Sequence, residues 1–288
     1  MRYSIITNPA SGNFSLSRRR KMLDRAARIL QAEVFGLDTT SRAEFLGCAR
    51  DLARTCDVLV VAGGDGSLSD VINAVGTEER TIAYIPLGSG NAMGHALRLR
   101  GSVEETATRI KDAPIREFDL IRCDEDRLAY MVSVGLEGAV IKKRDEYKAR
   151  GTSGIKAYLM ALVSAYFRGF KTSRATVFVD GKAWVTEELL SLIITKQPYY
   201  GYGIKVMPGA RLDDRQLHIR LFRKGVVSSL VGGFTSLTVG NRAGAYQTGR
   251  QVSVVLETPL VLQADGDVAW AAQEFRFKVL PGALRMKV

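Results

Sequence analysis

Val58-Leu59-Val60-Val61-Ala62-Gly63-Gly64-Asp65-Gly66-Ser67 is the stretch on which the fold turns. Five apolar residues, three of them β-branched valines, predict a buried strand. Leu68, Val71, Ile72 and Val75 then recur at helical spacing, so the glycines join a strand to a helix. Without Cβ atoms, such a loop lets backbone N–H groups approach a phosphate, and the helix adds unpaired donors and the positive end of its dipole. A tight turn alone also uses glycine, but three glycines around one aspartate exceed what a turn requires. The arrangement repeats where Thr81–Pro86 leads into Leu87-Gly88-Ser89-Gly90-Asn91-Ala92-Met93-Gly94. In a parallel sheet both loops open at the carboxyl edge of the strands, where one nucleotide can touch both.

Outward from this pair, Tyr3–Thr7 and Glu33–Leu37 read as further strands alternating with helical segments, an α/β pattern. Ser41-Arg42-Ala43-Glu44 and Ser102-Val103-Glu104-Glu105 fit the capping box. A first helix over about Ser17–Ala32 places Met22, Leu23, Ala26, Ile29 and Leu30 on one face, and Arg18, Arg19, Arg20, Lys21, Arg25 and Arg28 on what reads as a solvated basic face. After Arg116 the texture becomes β, with strands expected over Glu117–Cys123, Leu128–Val134, Thr176–Val179, Leu189–Thr195, Leu217–Phe222 and several runs from Val252 to Val288. Two apolar stretches, Ile155–Phe170 and Gly225–Val239, interrupt it as expected helices, with core packing as their simplest use. The division expected is residues 1–118 as an α/β nucleotide-binding domain and 119–288 as a β-rich domain, with the last strand open to return to the first.

The 288 residues, 46% apolar and 25% charged, suit a folded globular chain rather than a disordered or collagenous one. Cys48, Cys56 and Cys123 form no C-x-x-C, which argues against a disulfide framework or zinc site and for a reducing cytoplasm. The N-terminal apolar run is too short for a signal peptide, and no stretch is long enough for a membrane span. A net charge of +11 favours anionic partners in general: nucleic acid, phosphorylated ligands or acidic lipid. Gly88, Gly90 and Gly94 are spaced one residue too widely for the dinucleotide fingerprint, no P-loop occurs, and neither His95 nor His218 accompanies a nucleophile elbow. Dehydrogenase, P-loop ATPase and triad hydrolase are thereby set aside.

Asn8-Pro9-Ala10-Ser11-Gly12, Gly63-Gly64-Asp65-Gly66-Ser67 and Pro86-Leu87-Gly88-Ser89-Gly90-Asn91, in that order, resemble the diacylglycerol kinase catalytic-domain superfamily, which includes bacterial lipid kinases and sphingosine and ceramide kinases. The resemblance spans essentially the whole chain. It implies a parallel α/β domain like those of NAD kinases and phosphofructokinases, followed by an antiparallel β-sandwich with inserted helices. It implies ATP and Mg²⁺ as cofactors, with Asn8, Thr39 and Gly63, Gly64, Asp65, Gly66 and Ser67 holding ATP and Ser89 near its phosphates; Thr40 adjoins Thr39 as a rival. Asp65 would organise the catalytic Mg²⁺ through water with Asp119, although Asn91-Ala92 lacks the Asn-Asp of bacterial diacylglycerol kinases.

The same resemblance makes Asp265, in Gln263-Ala264-Asp265-Gly266-Asp267, the general base, with Asp267 replacing a usual Glu among the nucleotide-binding residues. By pattern alone Asp-Gly between alternating runs is a hairpin turn, as Asp180-Gly181 also reads. Asp214, with the carbonyls of Arg211 and Gln216, would hold a structural Mg²⁺, against the plainer reading of an acidic turn. Lys148 falls where a phosphate-contacting base is expected, and the two apolar stretches where acyl chains are bound. The acid that meets a sphingoid amine in sphingosine kinases falls at Ile141, with Glu137 a substitute nearby. The expected activity is therefore phosphorylation of a neutral diacylglycerol-type lipid, with sphingoid-base or ceramide kinase, NAD kinase and a non-catalytic nucleotide-responsive binding protein as alternatives. A lipid substrate, peripheral contact with an anionic membrane surface from the cytoplasm, and no nucleic acid are the partners implied, with homodimerisation left open.

Overall fold

A central run of valines buries every residue of its strand, and the first sheet grows on either side of it. The structure, a computed structural model, describes residues 1–288 apart from 13, 77–79, 125–126, 153 and 169, and the side chains of 155, 168 and 226–229 are likewise outside the description. The chain divides into two units. The first comprises Met1–Asp119, Gly201–Gly203 and Pro281–Val288; the second comprises Leu120–Tyr200 and Ile204–Leu280.

In the first unit the order is β1 (Tyr3–Thr7), α1 (Leu16–Leu30), β2 (Glu33–Phe35), α2 (Arg42–Thr55), β3 (Val58–Gly63), α3 (Asp65–Val75), β4 (Thr81–Pro86), α4 (Ala92–Ala96) and α5 (Val103–Asp112). The strands pair in parallel in the order β2-β1-β3-β4. Arg285 and Met286, near the end of the chain, pair in parallel with Thr81 and Ile82 on the outer side of β4. Ile5, Leu23, Ala26, Val60, Ala83 and Ile110 form its core. Ser102 and Glu105 close the capping box of α5 reciprocally, whereas at α2 Ser41 caps the Glu44 amide while the Glu44 carboxylate turns to Thr40. The second strand stops at Phe35, two residues before the expected Leu37. Gly36 takes φ +86° there, and a Cβ on it would lie 2.5 Å from the Thr7 carbonyl.

One residue of the expected basic face is not solvated. Arg19 is 1% exposed, and its Nη1 donates to the Asn8 carbonyl. Its Nε and Nη2 have no hydrogen-bond partner among the described residues, and burial lowers its pKa.

Strand β5 (Ile115–Cys123) begins in the first unit and ends in the second. There follow β6 (Arg127–Ala129), β7 (Met131–Gly135), α6 (Leu136–Ala149), α7 (Gly154–Arg168), β8 (Ser173–Val179), β9 (Lys182–Thr195), β10 (Leu217–Arg223), α8 (Val226–Leu237), β11 (Ala245–Gly249), β12 (Gln251–Ala264) and β13 (Asp267–Lys287). Pairing within this unit is antiparallel. The two long strands β9 and β12 each pair with β8 along one part of their length and β7 along another, which joins these strands in one hydrogen-bonded sheet. Val134, Val177, Leu192, Ile219, Val254 and Phe275 belong to its core.

Leu128–Val134, expected as one strand, is broken at Tyr130. Its amide leaves the ladder for the Asp265 carboxylate, and its carbonyl accepts from the Lys196 amide. Helix α6 was not anticipated. The helices over the two apolar stretches form as expected; Tyr158, Leu162 and Tyr166 pack against the buried cluster around Leu136 and Val140, but other large side chains stay outside the core. α7 buries Ala157, Ala161 and Ala165 and exposes Leu159, Met160, Val163 and Phe167; α8 exposes Leu230, Val231, Phe234 and Leu237. Among the described residues no helix is long and apolar enough to cross a membrane.

Candidate functional site

In the first unit three loops meet at the carboxyl ends of β1, β3 and β4. Asn8 Oδ1 accepts from the Ala10 amide at 2.9 Å, closing a local turn that presents Ser11. The Ser11 hydroxyl accepts the Gly64 amide at 3.0 Å. The Leu87 amide donates to the Gly63 carbonyl at 2.8 Å. Gly64 and Gly88 then lie backbone against backbone: a Cβ added to Gly88 would be 2.4 Å from the Gly64 Cα. Gly12, at φ +71°, leaves no room beside the Leu87 carbonyl, 2.6 Å from where its Cβ would be. The glycines are thus required by mutual contact of the loops.

Helix α3 opens directly from this junction. Its first intrahelical bond is Leu68 N–H to the Gly64 carbonyl, so the amides of Asp65, Gly66 and Ser67 precede the ladder. That is the disposition of an anion site at a helix N-terminus. The Asp65 carboxylate turns across to α4, accepting the Ala92 amide at 2.8 Å and the Met93 amide at 3.1 Å on separate oxygens. Burial raises the Asp65 pKa, and those two amides act against the rise. Asn91, at φ +48°, locks the second loop: its Oδ1 accepts the Gly88 amide at 2.9 Å and its Nδ2 donates to the Gly88 carbonyl at 2.7 Å. Gly90 packs against Gly201, and its carbonyl accepts the Tyr202 amide at 2.9 Å.

Thr39 is half-buried, its hydroxyl donating to the Gly36 carbonyl at 2.7 Å, and Ser89 is exposed at the loop tip. Asp119 is buried, with Oδ1 accepting the Gly282 amide of the returning strand at 3.0 Å. Among the described residues no three His, Cys, Asp or Glu side chains gather as a metal cluster. A carboxylate has about four accepting lone pairs, so Asp65 can hold two amides and still accept from water. Its position suits a cation bound through water better than one bound directly.

In the second unit Asp265 and Gly266, at φ +51° and +94°, form the turn between β12 and β13, with Ala264 paired to Asp267. Asp265 is buried, and its Oδ1 accepts the Tyr130 amide at 3.0 Å and the Met131 amide at 2.9 Å. The turn reading therefore holds for Asp265, and its carboxylate is turned inward onto the two amides. Asp180 behaves similarly at its own turn, accepting the Arg250 and Gln251 amides, but it is exposed. Asp267 and Lys148 are exposed.

The residues expected to hold a structural Mg²⁺ at Asp214 meet a lysine instead. Lys196, 0% exposed, directs its ammonium to Asp214 Oδ1 at 2.5 Å and to the Gln216 carbonyl, two of the three ligands foreseen for the ion. His218 Nε2 is 2.7 Å from Asp214 Oδ2, and its Nδ1 is 2.7 Å from the Tyr246 hydroxyl. Burial opposes ionisation of Asp214, but Lys196 and then His218 outweigh it and hold the carboxyl below its usual range. The exposed Arg211 side chain approaches Asp213. A second cation at this place would face an ammonium within contact distance, so these residues do not fit Mg²⁺.

Glu137 lies in a polar pocket of the same unit, where the Ser191 hydroxyl reaches its two oxygens at 2.6 and 2.7 Å. Burial pushes its pKa up. Burial and then Glu137 likewise raise those of Tyr158 and Tyr200. Ile141 is buried.

The profile of the Diacylglycerol kinase catalytic domain matches residues 2–123, and that of the YegS C-terminal NAD kinase beta sandwich-like domain matches residues 130–288. The chain belongs to the diacylglycerol kinase catalytic-domain superfamily. A diacylglycerol kinase of Staphylococcus saprophyticus is 26% identical over 286 residues, covering 92% of this chain and 88% of its own. A probable lipid kinase YegS-like of Stenotrophomonas maltophilia is 27% identical over 248 residues, covering 80% and 78%. Among solved structures, a diacylglycerol kinase from Bacillus anthracis superposes with a TM-score of 0.75 at 17% identity, covering 99% of this superfamily member and 96% of that chain. An NAD kinase from Archaeoglobus fulgidus in complex with ATP reaches 0.54 at 14% identity, covering 100% and 94%, a likeness of fold.

Proposed function

We propose that this superfamily member is an ATP-dependent lipid kinase that phosphorylates the hydroxyl of a neutral, diacylglycerol-type lipid. The observation that carries the reading is the loop junction at Gly64 and Gly88, packed backbone against backbone, from which α3 opens with the amides of Asp65, Gly66 and Ser67 ahead of its first intrahelical bond. Asn8, Thr39 and the Gly63–Ser67 loop would bind the nucleotide, with Ser89 beside the phosphates. Mg²⁺, when bound, neutralises charge developing on the transferred phosphoryl group. Asp65 would hold its water shell, with Asp119 as a second acid.

In the reaction the lipid hydroxyl oxygen bonds to the γ-phosphorus as the bond to the β-phosphate oxygen breaks, giving ADP and a lipid phosphate. Asp265 takes the hydroxyl proton. Its Oδ1 accepts two amides, which orient the carboxylate. The family resemblance also gives Lys148 and Asp267 a nucleotide-contacting role. A neutral acceptor is favoured over a sphingoid amine because Ile141 offers no countercharge, and burial biases Glu137 toward its uncharged form.

Asp265→Asn keeps an oxygen for the two amides and removes the base. Label transfer from γ-labelled ATP into a lipid extract is expected to fall by about 10²–10⁴-fold, with nucleotide binding retained. Undiminished turnover would remove Asp265 from this role. Label that appears only in NADP, when NAD is supplied, would replace the reading with NAD kinase.

A further inference from the structure

Arg19 is a charge folded away from water without a counterion. Its side chain is buried, although Arg18 and Arg20 on either side of it face solvent. Nε and Nη2 both lack a hydrogen-bond partner, two atoms where no other described residue leaves more than one. Burial is the whole cause of its lowered pKa, with no carboxylate acting on it. Arginines are almost never fully buried unless paired, because the desolvation of the charge is otherwise not offset.

Its position indicates what would pair it. Ser15 caps α1, so Arg19 stands at the end of the first turn, and long helical side chains lean toward the N-terminus of their helix. The guanidinium is thereby carried back to the Asn8–Gly12 loop. Nη1 donates to the Asn8 carbonyl, which also accepts the Ser11 amide at 3.1 Å, and Nη2 lies 3.7 Å from where a Gly12 Cβ would be. Between those two residues, the Ser11 hydroxyl accepts the Gly64 amide at the head of α3. Thr7, just before Asn8, is also buried and leaves its Oγ1 unpaired. The unpaired cation thus backs the loop that meets the N-terminus of α3, where the amides of Asp65, Gly66 and Ser67 precede the helical ladder. An anion at this junction would have positive charge from two independent elements, the α3 dipole and the Arg19 guanidinium.

We propose that Arg19 is the buried cation of the phosphate site, and that the polyphosphate chain of the nucleotide, seated at the loop junction, is the counterion the protein itself does not provide. The proposal deepens the kinase reading by giving a polyphosphate-binding role to a residue outside the glycine loops, and it rests on that reading for the nucleotide. In the empty protein the charge is held at a cost to stability, which is recovered as affinity when the anion arrives. One substitution is therefore expected to move stability and affinity in opposite directions, which a purely structural arginine cannot do.

The test joins thermal unfolding without ligand to calorimetric titration of the full chain with ATP, inorganic triphosphate and adenosine, each in the presence of Mg²⁺. Arg19→Met removes the charge and the unpaired donors, and the Asn8 carbonyl keeps the Ser11 amide. Its midpoint is expected at or above that of wild type. Affinity for ATP and for triphosphate is expected to fall at least about tenfold, with that for adenosine unchanged. Arg19→Gln, which retains a donor for the Asn8 carbonyl, is expected to show the same loss, whereas Arg19→Lys retains the charge and is expected to stay within about threefold of wild type. Arg20→Met makes an equal change in net charge at an exposed position and is expected to stay within about twofold. A lowered midpoint with ATP affinity intact, an equal loss for ATP and adenosine, or as large a loss in Arg20→Met would each overturn the proposal. So would failure of both neutral variants to fold, since the charge would then serve the empty protein. Label transfer from ATP to lipid separates the two readings. Polyphosphate affinity that responds to Arg19 as expected, with no labelled lipid, would leave this cation in its role and the lipid-kinase reading fallen; labelled lipid with ATP affinity indifferent to Arg19→Met would do the reverse.

Discussion

Lys196 and Asp214 form an ion pair at 2.5 Å in which the lysine is wholly buried and the carboxylate partly so. The ammonium also meets the Gln216 carbonyl, so an internal cation sits where a metal ion was expected. Lys196→Met removes the ammonium from Asp214 Oδ1 and the Gln216 carbonyl and leaves the carboxylate only its His218 contact in place of the ion pair. The expected loss is about 2–3 kcal/mol, discounted from a fully buried pair because water reaches Asp214. Differential scanning fluorimetry is expected to show a midpoint lowered by roughly 5–10 °C. Wild type without nucleotide is expected to be indifferent to EDTA, and a midpoint that falls on chelation would restore the metal to this loop.

Gly88→Ala forces a Cβ into the Gly64 backbone, which no rotamer relieves. Separation of the loops is expected to weaken binding of a fluorescent ATP analogue by about tenfold or more, in line with overpacking of 1–3 kcal/mol. Gly76→Ala is the control for backbone effects at a helix end, because its φ of +72° is strained for alanine but nothing lies within 4 Å. Equal nucleotide affinity in Gly88→Ala and wild type would mean the junction is not the binding site.

Asp65→Asn tests the carboxylate that joins α3 to α4. Its two oxygens accept separate amides, and an asparagine can satisfy only one while pointing an N–H₂ at the other. Loss of about 1–3 kcal/mol is expected in chemical denaturation, together with weaker nucleotide binding. A variant as stable as wild type would show that the two amides are satisfied in another way.

Burial raises the Glu137 pKa from its ordinary 4.5, so the folded state holds that proton more tightly than the unfolded chain. The stability this contributes is fully present below the unfolded value and is lost as pH rises through the folded one. Glu137→Gln removes the titration. The midpoint of the variant relative to wild type is therefore expected to climb as pH increases from about 4 to 8. A difference that stays flat across that range would count against a buried, proton-retaining carboxyl.

Local signals made the first unit readable. The valine strand, its glycine loop and the Ser102–Glu105 box all act over a few residues, and each appears where the spacing placed it. Arg19 was invisible for the opposite reason, because Arg18, Arg19 and Arg20 are chemically alike and only the position of the Asn8 carbonyl decides which turns inward. Lys196 meets Asp214 through the pairing of β9 with β10, a long-range register with no local pattern. Helix α6 starts from Gly135 at φ +124° and then runs into a string of charges, so its few buried side chains give a faint period. On α7 and α8 the period was legible but not its direction, since both the small and the large faces are apolar.

Strand β13 runs from Asp267 to Lys287, crossing from the second unit into the first, where it pairs with β4. Arg285 and Thr81 are roughly two hundred residues apart in the chain, a separation that makes this pairing a late and slow event in folding. Until it forms, β4 presents an open row of amides and carbonyls, the kind of edge that recruits other chains. The first half of the chain expressed by itself would carry that edge permanently, and it is expected to aggregate where the 288-residue chain does not.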